Sequence, residues 1–377
     1  MKKYKRIVIK VGSTTLTHDD GKINHQIIKK IVKEISLLVD QGYECVLVTS
    51  GAVAAGMGEL NIQDKPTELD ERQSLAAIGQ VQLIQLYSNL FYAFDHQIAQ
   101  LLLTRDDFSN RSRYLNARNT CRLLLEKRVI PIINENDSVV VNEIKVGDND
   151  SLSAFVAALI DADLIVILTD TDGLYDADPR TNPDARLIDV VHEIDDSIKA
   201  KAGLSDSKFG TGGMATKLLA ADMALSNGTD LIIASGDDPR NITRAVMGEN
   251  IGTHFIAEKP NFNARKYWLR YASKLSGYVH VDQGAYEAIL KGKSLLPAGI
   301  TRIDGKFKRG SVVRLIHQEE KIGVGIVNYN NSEIKKIMGQ HTGKIKDILG
   351  YKYSDVVVHS DNIARIERKI DSCHIRS

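Results

Sequence analysis

The chain alternates between short runs of apolar, often β-branched residues and longer segments in which apolar residues recur at helical spacing, from Arg6 to about residue 260. In the first helical segment, Ile27, Ile31, Ile35 and Leu38 share one face before Gly42. The predicted strands are residues 7–9, 45–48, 101–103, 129–133, 164–168 and 231–233. Because these runs are almost continuously apolar, the pattern predicts a mostly parallel central sheet covered by helices on both faces, a three-layer αβα sandwich.

After about Ser276 the pattern changes to short strands, such as residues 278–281 and 311–315, separated by glycine turns. This change predicts a second, small β-rich domain. The expected organisation is a catalytic domain at residues 1–265, a linker at 266–276, the β-rich domain at 277–360 and a tail at 361–377.

Polar and glycine-rich residues follow most of the predicted strands. Read singly, Ser, Thr, Asp and Gly at such places indicate turns and helix caps. Ligands of open parallel sheets bind beyond the carboxyl ends of the strands. Five or six such segments at one sheet edge therefore favour a binding site. They are Lys10-Val-Gly-Ser-Thr, Thr49-Ser-Gly-Ala, Thr104-Arg-Asp-Asp, Asn134-Glu-Asn-Asp, Thr169-Asp-Thr-Asp-Gly and Ser235-Gly.

Composition narrows the class of protein. With 377 residues, 43% hydrophobic and 26% charged, the chain is globular, and a net charge of +1 gives no whole-chain argument for a polyanionic partner. Residues 277–377 nevertheless hold 17 Lys and Arg against 11 Asp and Glu. The cysteines Cys45, Cys121 and Cys373 stand far apart, which favours neither a disulfide framework nor a zinc site. No apolar run is long enough for a membrane span, so we expect a cytoplasmic protein.

Two lysine-bearing segments are candidates for binding phosphate, although neither of the commonest phosphate fingerprints, G-x-x-x-x-G-K-[ST] and G-x-G-x-x-G, is present. Lys10 ends the first strand beside Gly12, and Gly210-Thr-Gly-Gly-Met-Ala-Thr-Lys217 opens a helix at Met214. Taken separately, Lys10 is better explained as a solvated strand-end lysine, and a flexible loop before a helix explains the second segment comparably well.

Two Asn- and Asp-rich segments, residues 133–137 and 146–151, bracket a hairpin-like stretch at 139–144. Their carboxylates suit an ammonium group and their amides suit a carboxylate. A calcium loop is the rival interpretation, but EF-hand spacing is absent. No Ser/His/Asp or Cys/His arrangement is apparent, and His18, His25 and His96 are expected to be solvated. Lysines without an obvious base fit phosphoryl transfer to an acceptor that is already ionised, such as a carboxylate.

Several segments together resemble the amino acid kinase family, in the branch that phosphorylates the side-chain carboxylate of glutamate. The motifs are Lys10-Val-Gly-Ser-Thr, Val48-Thr-Ser-Gly-Ala-Val-Ala-Ala-Gly, Ile133-Asn-Glu-Asn-Asp, Ile144-Lys-Val-Gly-Asp-Asn-Asp, Leu174-Tyr-Asp-Ala-Asp-Pro-Arg and Gly210-Thr-Gly-Gly-Met-Ala-Thr-Lys. The C-terminal part, with Val281-Asp-Gln-Gly-Ala and Gly305-Lys-Phe-Lys-Arg-Gly, resembles a PUA domain. The resemblance implies the amino acid kinase fold followed by a PUA domain.

The resemblance also implies roles for particular residues. Lys10 and Lys217 would hold the ATP phosphates and stabilise the transferring phosphoryl group, and Asp150 would orient both lysines. The residues that would bind glutamate are Ser50, Gly51, Asn134, Asp137, Asp148 and Asn149. The residues that would contact ATP are Lys10, Gly12, Thr169, Asp170, Thr211, Gly212, Gly213, Met214, Ala215, Thr216 and Lys217.

The expected cofactors are ATP and Mg²⁺, with the metal carried by the ATP phosphates rather than by a protein cage. The resemblance further implies L-glutamyl 5-phosphate as the product, the first step of proline biosynthesis, with feedback inhibition by L-proline. A homodimer or homotetramer is expected, and glutamate-5-semialdehyde dehydrogenase (glutamyl phosphate reductase) is a candidate partner. Aspartate, acetylglutamate or UMP as acceptor remains a rival within the same fold.

RNA binding through the C-terminal domain is an alternative of a different class, raised by its excess of basic residues and its resemblance to PUA domains. The excess is modest, and Tyr329, Tyr351 and Tyr353 form no clear stacking platform in the sequence. A solvated basic surface that includes Lys306, Lys308 and Arg309 is therefore the favoured interpretation.

Overall fold

The computed structural model describes residues 4–18, 21–64, 66–139, 149–179, 181–201, 213–258 and 275–365. The chain divides into two compact units, Met1–Asn261 and Phe262–Ser377. In the described part of the chain, no helix combines the length and the apolar character that crossing a membrane would require.

The first unit is built on an eight-stranded sheet in the order β3-β4-β2-β1-β5-β7-β8-β6. Its pairings are parallel except that β7 and β8 run antiparallel. The strands are β1 (Arg6–Val11), β2 (Glu44–Val48), β3 (Ile98–Leu103), β4 (Ile130–Glu135), β5 (Leu164–Thr169), β6 (Val190–Val191), β7 (Asp230–Ser235) and β8 (Thr253–Phe255). The six predicted strands are confirmed, and together with the family comparison below they establish the predicted fold class.

Helices connect the strands of this unit. They are α1 (Ser13–Leu16), α2 (His25–Asp40), α3 (Ala52–Glu59), α4 (Leu69–Tyr92), α5 (Arg105–Ser109), α6 (Arg111–Glu126), α7 (Asn149–Ile160), α8 (Asp196–Lys201), α9 (Met214–Ser226) and α10 (Asn241–Val246). α2 begins after Asn24, whose side chain accepts a hydrogen bond from the backbone N–H of Ile27 at 3.1 Å. Its residues Ile31, Ile35 and Leu38 are fully buried against the sheet, as their spacing predicts.

The second unit contains a separate five-stranded sheet in the order β10-β9-β11-β12-β13. Its strands are β9 (Leu275–Val281), β10 (Ile300–Gly305), β11 (Val312–His317), β12 (Glu320–Val327) and β13 (Val358–Arg365). Its helices are α11 (Gln283–Leu290), α12 (Asn331–Ile337) and α13 (Ile345–Leu349), with 3₁₀ turns at Pro297–Gly299 and Thr342–Lys344. Strand β13 extends past residue 360, the expected end of the domain, because its backbone pairs with β12 as far as Arg365.

Some expectations are corrected or lie outside the described residues. The expectation of a solvated His96 is wrong, because its side chain is 11% exposed and its Nε2 lies 3.5 Å from Asp40 Oδ1. Tyr329 is fully buried, whereas Tyr351 and Tyr353 are exposed. Cys45 and Cys121 are buried free thiols. The hairpin-like stretch at 139–144, except Val139, and Cys373 fall outside the described residues.

Candidate active site

The carboxyl ends of β1, β2, β4, β5 and β7 meet along one edge of the first sheet. Strand β1 lies in the middle, and the chain moves from it to β2 on one side and later to β5 on the other. A doubly wound sheet opens a crevice at such a reversal of strand order. The polar segments that the sequence analysis singled out follow these strands, so the topology brings them to one edge.

A buried charge cluster lies at this edge. Lys10 ends β1, Asp150 lies in the first turn of α7 and Lys217 in the first turn of α9. The Lys10 ammonium is 2.5 Å from Asp150 Oδ1, and the Lys217 ammonium is 3.3 Å from Asp150 Oδ2. All three residues are at least nine-tenths buried, and Asp150 is fully buried. Two cations facing one anion leave a net positive charge that favours a phosphate ligand.

The ionisation of Asp150 follows from these neighbours. Burial by itself would raise the pKa of the Asp150 carboxyl, but the positive charges of Lys10 and Lys217 and a hydrogen bond from Thr216 outweigh burial. The pKa of Asp150 therefore lies below its usual value. Asp150 is thus a fixed anion that holds both ammonium groups at one point. The Thr216 hydroxyl donates a hydrogen bond to Asp150 Oδ2 at 2.9 Å.

Glycines keep the phosphate side of the cluster open. A Cβ at Gly12 would lie 3.5 Å from the Lys10 ammonium and would cover it. Gly213 precedes α9 with a φ of 76°, a conformation that favours glycine. Met214, Ala215 and Thr216 then form the first turn of α9, whose backbone N–H groups suit an anion.

Three amide or hydroxyl side chains cluster around Asn149, the residue before Asp150. Asn149 precedes Asp150 in α7, and its Nδ2 lies 2.7 Å from Ser50 Oγ, 2.7 Å from the Thr49 carbonyl oxygen and 3.1 Å from Asn134 Oδ1. Asn134, at the end of β4, is 2% exposed. This group, Ser50, Asn134 and Asn149, forms what we call the amide cluster. Its side chains can hydrogen-bond a carboxylate or an ammonium group.

The loop that carries Ser50 turns sharply at Gly51. Gly51 has a φ of 97°, in the left-handed region, and it precedes α3. A side chain there would be strained by the backbone conformation, and its Cβ would lie 3.5 Å from Ile23 Cδ1. The turn directs Ser50 towards Asn149.

Asp137 lines a cavity of about 300 Å³. Helix α4 lines the cavity with the apolar Ala76 and Val81 and with the polar Gln80, and Glu135 and Asp137 add further polar groups. The cavity touches the amide cluster through Gln80, because Asn134 Nδ2 donates to Gln80 Oε1 at 2.8 Å.

The remaining sequence candidates divide into two sets. Thr169 is buried at the end of β5, where its hydroxyl donates to Asp170 Oδ1 at 2.9 Å, and Asp170 is exposed. Asp148, Thr211 and Gly212 lie outside the described residues. The roles of all these residues stay predictions.

Sequence reasoning missed two residues that contact the amide cluster or its loop. Gln80 and Tyr87 come from α4, and Tyr87 OH lies 2.9 Å from the Thr49 hydroxyl oxygen. A single glutamine and a single tyrosine in a helix carry no motif, so only the fold reveals them. The strand-end position of Thr49 was the one available signal.

The described residues contain no group of three or more His, Cys, Asp and Glu side chains that could hold a metal ion. The buried carboxylate of the charge cluster is engaged by two ammonium groups. This donor set suits an anion, and a divalent cation would have to arrive with its own ligands.

Comparison with known proteins is consistent across the chain. The model of the amino acid kinase family matches residues 5–235, and the PUA domain model matches residues 277–349. The glutamate 5-kinase of Caldanaerobacter subterraneus subsp. tengcongensis is 49% identical over 96% of this chain and 98% of its own. That of Geobacter sulfurreducens is 47% identical over the same shares. Among solved structures, a UMP kinase from Bacillus anthracis aligns with a TM-score of 0.48 and 17% identity over 68% of this chain and 98% of its own.

These matches agree with the resemblance found in the motifs. The relatives span nearly the whole chain at well above 30% identity, and the family model alone covers more than half of it. The chain therefore belongs to the amino acid kinase family, where it groups with the glutamate 5-kinases, and it carries a C-terminal PUA domain.

Proposed function

We propose that the protein transfers the γ-phosphoryl group of ATP to the side-chain carboxylate of L-glutamate, forming L-glutamyl 5-phosphate and ADP. The observation that carries the proposal is the buried cluster of Lys10, Asp150 and Lys217 beside the amide cluster. The names of the curated relatives support glutamate as the acceptor.

The charge cluster supplies what phosphoryl transfer needs from a protein, which is positioning and neutralisation of charge. Lys10 and Lys217 converge on one carboxylate, so their ammonium groups are held close together without either having to be recruited by the substrate. Burial strengthens their attraction to phosphate oxygens, because water screens them little. Without Asp150, the cluster would hold two buried cations with no counterion whenever no phosphate is bound.

The acceptor explains why the site needs no general base. A glutamate side chain has an ordinary pKa of about 4.3 and is ionised at neutral pH. Its oxygen attacks the γ-phosphorus, the bond from that phosphorus to the bridging oxygen breaks, and ADP leaves with the electron pair. No proton has to be removed from the acceptor. The amide cluster would hold the acceptor beside the charge cluster.

Mg²⁺ fits this arrangement as a companion of ATP. When bound, it would neutralise phosphate charge, and the oxygens of the nucleotide would supply most of its ligands. The described protein residues contribute two ammonium groups to the same region. These groups would bind phosphate oxygens and would not bind the metal.

The proposed activity has a direct test. The purified protein is incubated with MgATP, hydroxylamine and one of L-glutamate, L-aspartate or N-acetylglutamate, and hydroxamate is measured. We expect hydroxamate with glutamate and none when ATP is omitted. If hydroxamate forms only with another acid, that acid replaces glutamate as the assigned substrate. If ADP is released with UMP but with none of the acids, nucleotide phosphorylation replaces carboxylate phosphorylation as the assigned reaction.

The same proposal extends to the setting of the enzyme. We infer the first step of proline biosynthesis, a cytoplasmic location, feedback inhibition by L-proline, a homodimer or homotetramer, and delivery of the acyl phosphate to glutamate-5-semialdehyde dehydrogenase. Inhibition of the hydroxamate assay by L-proline but not by D-proline would support feedback inhibition. A molar mass in solution of two or four chains would support the homodimer or the homotetramer.

A further inference from the structure

Helix α4 contacts the amide cluster and the loop that carries Ser50 through two side chains that no motif includes. We propose that Gln80 and Tyr87 are positioning residues that hold the amide cluster and its loop in place for the acceptor. This inference rests on the proposed function, because it assigns the amide cluster to acceptor binding. It adds a fixed support outside the residues that would touch the substrate.

Gln80 holds the amide of Asn134. The Asn134 side chain is almost fully buried, and its Oδ1 accepts the backbone N–H of Glu135 at 2.9 Å. This backbone donor fixes which end of the amide is oxygen, so Nδ2 points away from it. Gln80 Oε1 accepts from that Nδ2 at 2.8 Å. Without Gln80, Asn134 would keep a buried donor with no acceptor there, and its side chain would turn.

The orientation of Asn134 reaches the rest of the cluster. Its Oδ1 also lies 3.1 Å from Asn149 Nδ2, which contacts Ser50 Oγ and the Thr49 carbonyl oxygen. A rotated Asn134 would therefore withdraw one of the oxygens that position the Asn149 amide. Gln80 therefore acts on Asn134 directly and on Asn149 through Asn134, and both of these residues would hold the acceptor.

Tyr87 holds the loop from the other side. The Thr49 hydroxyl oxygen lies 3.2 Å from the Ser50 carbonyl oxygen, to which it can donate, and 2.9 Å from the Tyr87 hydroxyl oxygen, with which it shares a hydrogen bond. Burial raises the pKa of the Tyr87 phenol, more than the hydrogen bond with Thr49 lowers it, so Tyr87 keeps its phenolic proton at neutral pH. Both side chains are fully buried.

The two residues act from one rigid element. They are seven residues apart in α4, which is about two turns, and so lie on the same face. Gly79, next to Gln80, lets α4 approach α3 closely, since a Cβ there would lie 1.8 Å from the Ala52 carbonyl oxygen. Ala52 begins α3 directly after Ser50 and Gly51. Helix α4 is therefore closely packed against the residue that follows the loop.

The inference is tested with Gln80→Met and Tyr87→Phe, which remove one hydrogen-bonding group each and keep most of the volume. Their controls are Gln85→Met and Tyr92→Phe, exposed positions of the same helix. KM for glutamate, KM for ATP and kcat are measured for all four variants. Because each test variant removes a hydrogen-bond partner from a buried group, we expect a roughly five- to tenfold rise in KM for glutamate. KM for ATP should change less than about twofold, since the phosphate side is held by other elements.

A second measurement needs no substrate. Amide hydrogen exchange at residues 49–51 should be faster in both test variants than in the wild type, and unchanged in the two controls. Unchanged exchange and an unchanged KM for glutamate would overturn the inference. An equal rise of both KM values would also overturn it, because that result indicates a general loss of structure.

The two proposals fail in different ways. If the wild type makes hydroxamate from a different acid, the assignment of glutamate fails, and the KM comparison is made with that acid. If wild-type activity with glutamate is as expected and the variants match their controls, only the positioning role fails. Tyr87→Phe keeps the buried ring, so it decides the question even if Gln80→Met does not fold.

Discussion

Asp150 is the residue on which the charge cluster depends. It is the one carboxylate within ion-pair distance of both Lys10 and Lys217 in the described residues. A buried lysine pair without a counterion would be costly, and removing one partner of a buried ion pair typically costs about 3–5 kcal/mol. Asp150 therefore balances two buried cations, and under the proposed function it would also orient both lysines during phosphoryl transfer.

Replacing Lys217 can distinguish a contribution of the charge cluster to catalysis from a contribution to glutamate binding. Lys217→Ala should lower kcat by about a hundredfold or more while KM for glutamate changes little, because the lost charge acts on the transferring phosphoryl group. Steady-state kinetics in the hydroxamate assay measure both constants. Lys33→Ala, at an exposed position of α2, is the control and should behave as the wild type. An unaltered kcat in Lys217→Ala would remove the role assigned to it.

The contribution of Asp150 to stability predicts that the free energy of unfolding depends on pH. Because the pKa of Asp150 is lowered in the folded protein, its stabilising contribution is fully present above its ordinary value of about 4 and is lost as pH falls through the folded pKa. The difference in free energy of unfolding between wild type and Asp150→Asn should therefore be largest near neutral pH and should shrink as pH falls below about 4.

Urea unfolding at a series of pH values measures this difference, and contributions of other carboxylates cancel between the two proteins. Asp196→Asn, on the exposed surface of α8, gives the control curve and should show no comparable trend. A difference that stays constant on acidification would mean that Asp150 is not the charged partner of the two lysines.

Residues with motifs and residues without them differed in what the sequence could reveal. Lys10, Lys217 and Asp150 were assigned from the motifs, and the fold brings these three together, although their roles await the kinetics. Gln80 and Tyr87 were not found, because their contacts join positions 54 and 38 residues apart in the chain. Only the packing of α4 against the sheet creates those contacts.

At the scale of elements, the contact between α3 and α4 makes a sharp prediction. Gly79→Ala should destabilise the protein by about 1–3 kcal/mol, because its Cβ would lie 1.8 Å from the Ala52 carbonyl oxygen and 2.3 Å from the Gly56 nitrogen. Helix propensity alone would predict the opposite sign, since alanine is favoured over glycine in a helix by roughly 0.5–1 kcal/mol.

Gly58→Ala in α3 is the matched control, because a Cβ there meets nothing within 4 Å. It should leave stability unchanged or raise it slightly. Denaturant unfolding of the two variants at neutral pH gives both values. If Gly79→Ala were as stable as Gly58→Ala, the close packing of the two helices would not hold in solution.

Elements were predictable where their pattern was strong. The long apolar runs of β1, β2 and β5 were recognisable because each is buried on both faces. Strands β6 and β8 are two and three residues long, too short for any periodicity, and were missed. In α4 the buried face includes Ala76 and Gly79 beside Leu75 and Leu83, so small residues weaken the contrast between its faces.

At the scale of the whole molecule, each unit has its own core. The core of the first unit is formed by residues between Tyr4 and Val246, and that of the second by residues between Val279 and Ile363. The second core includes the fully buried Tyr329, whose hydroxyl donates to the Ser354 carbonyl oxygen and accepts the backbone N–H of Ser354 at 2.8 Å. Among the described residues, each of these cores is formed by side chains of its own unit.

A chain of residues 262–377 should therefore fold when expressed alone. We expect a cooperative thermal transition, and we expect Tyr329→Phe to lower its midpoint, because two groups near Ser354 would lose their partner. Circular dichroism during heating measures both. Tyr351→Phe, at an exposed position, is the comparison. A non-cooperative melt would mean that the second unit depends on the first.

Asn149 and Asp150 are consecutive residues, one in the amide cluster and one in the charge cluster. Under the proposed function, acceptor choice and phosphoryl chemistry would meet at a single peptide bond, yet each would be served by its own side chain. An engineer who wants a new acid acceptor could vary Ser50, Asn134 and Asn149 and leave the lysine pair and Asp150 alone. Diversification of acceptors on a conserved phosphoryl-transfer apparatus would follow the same division.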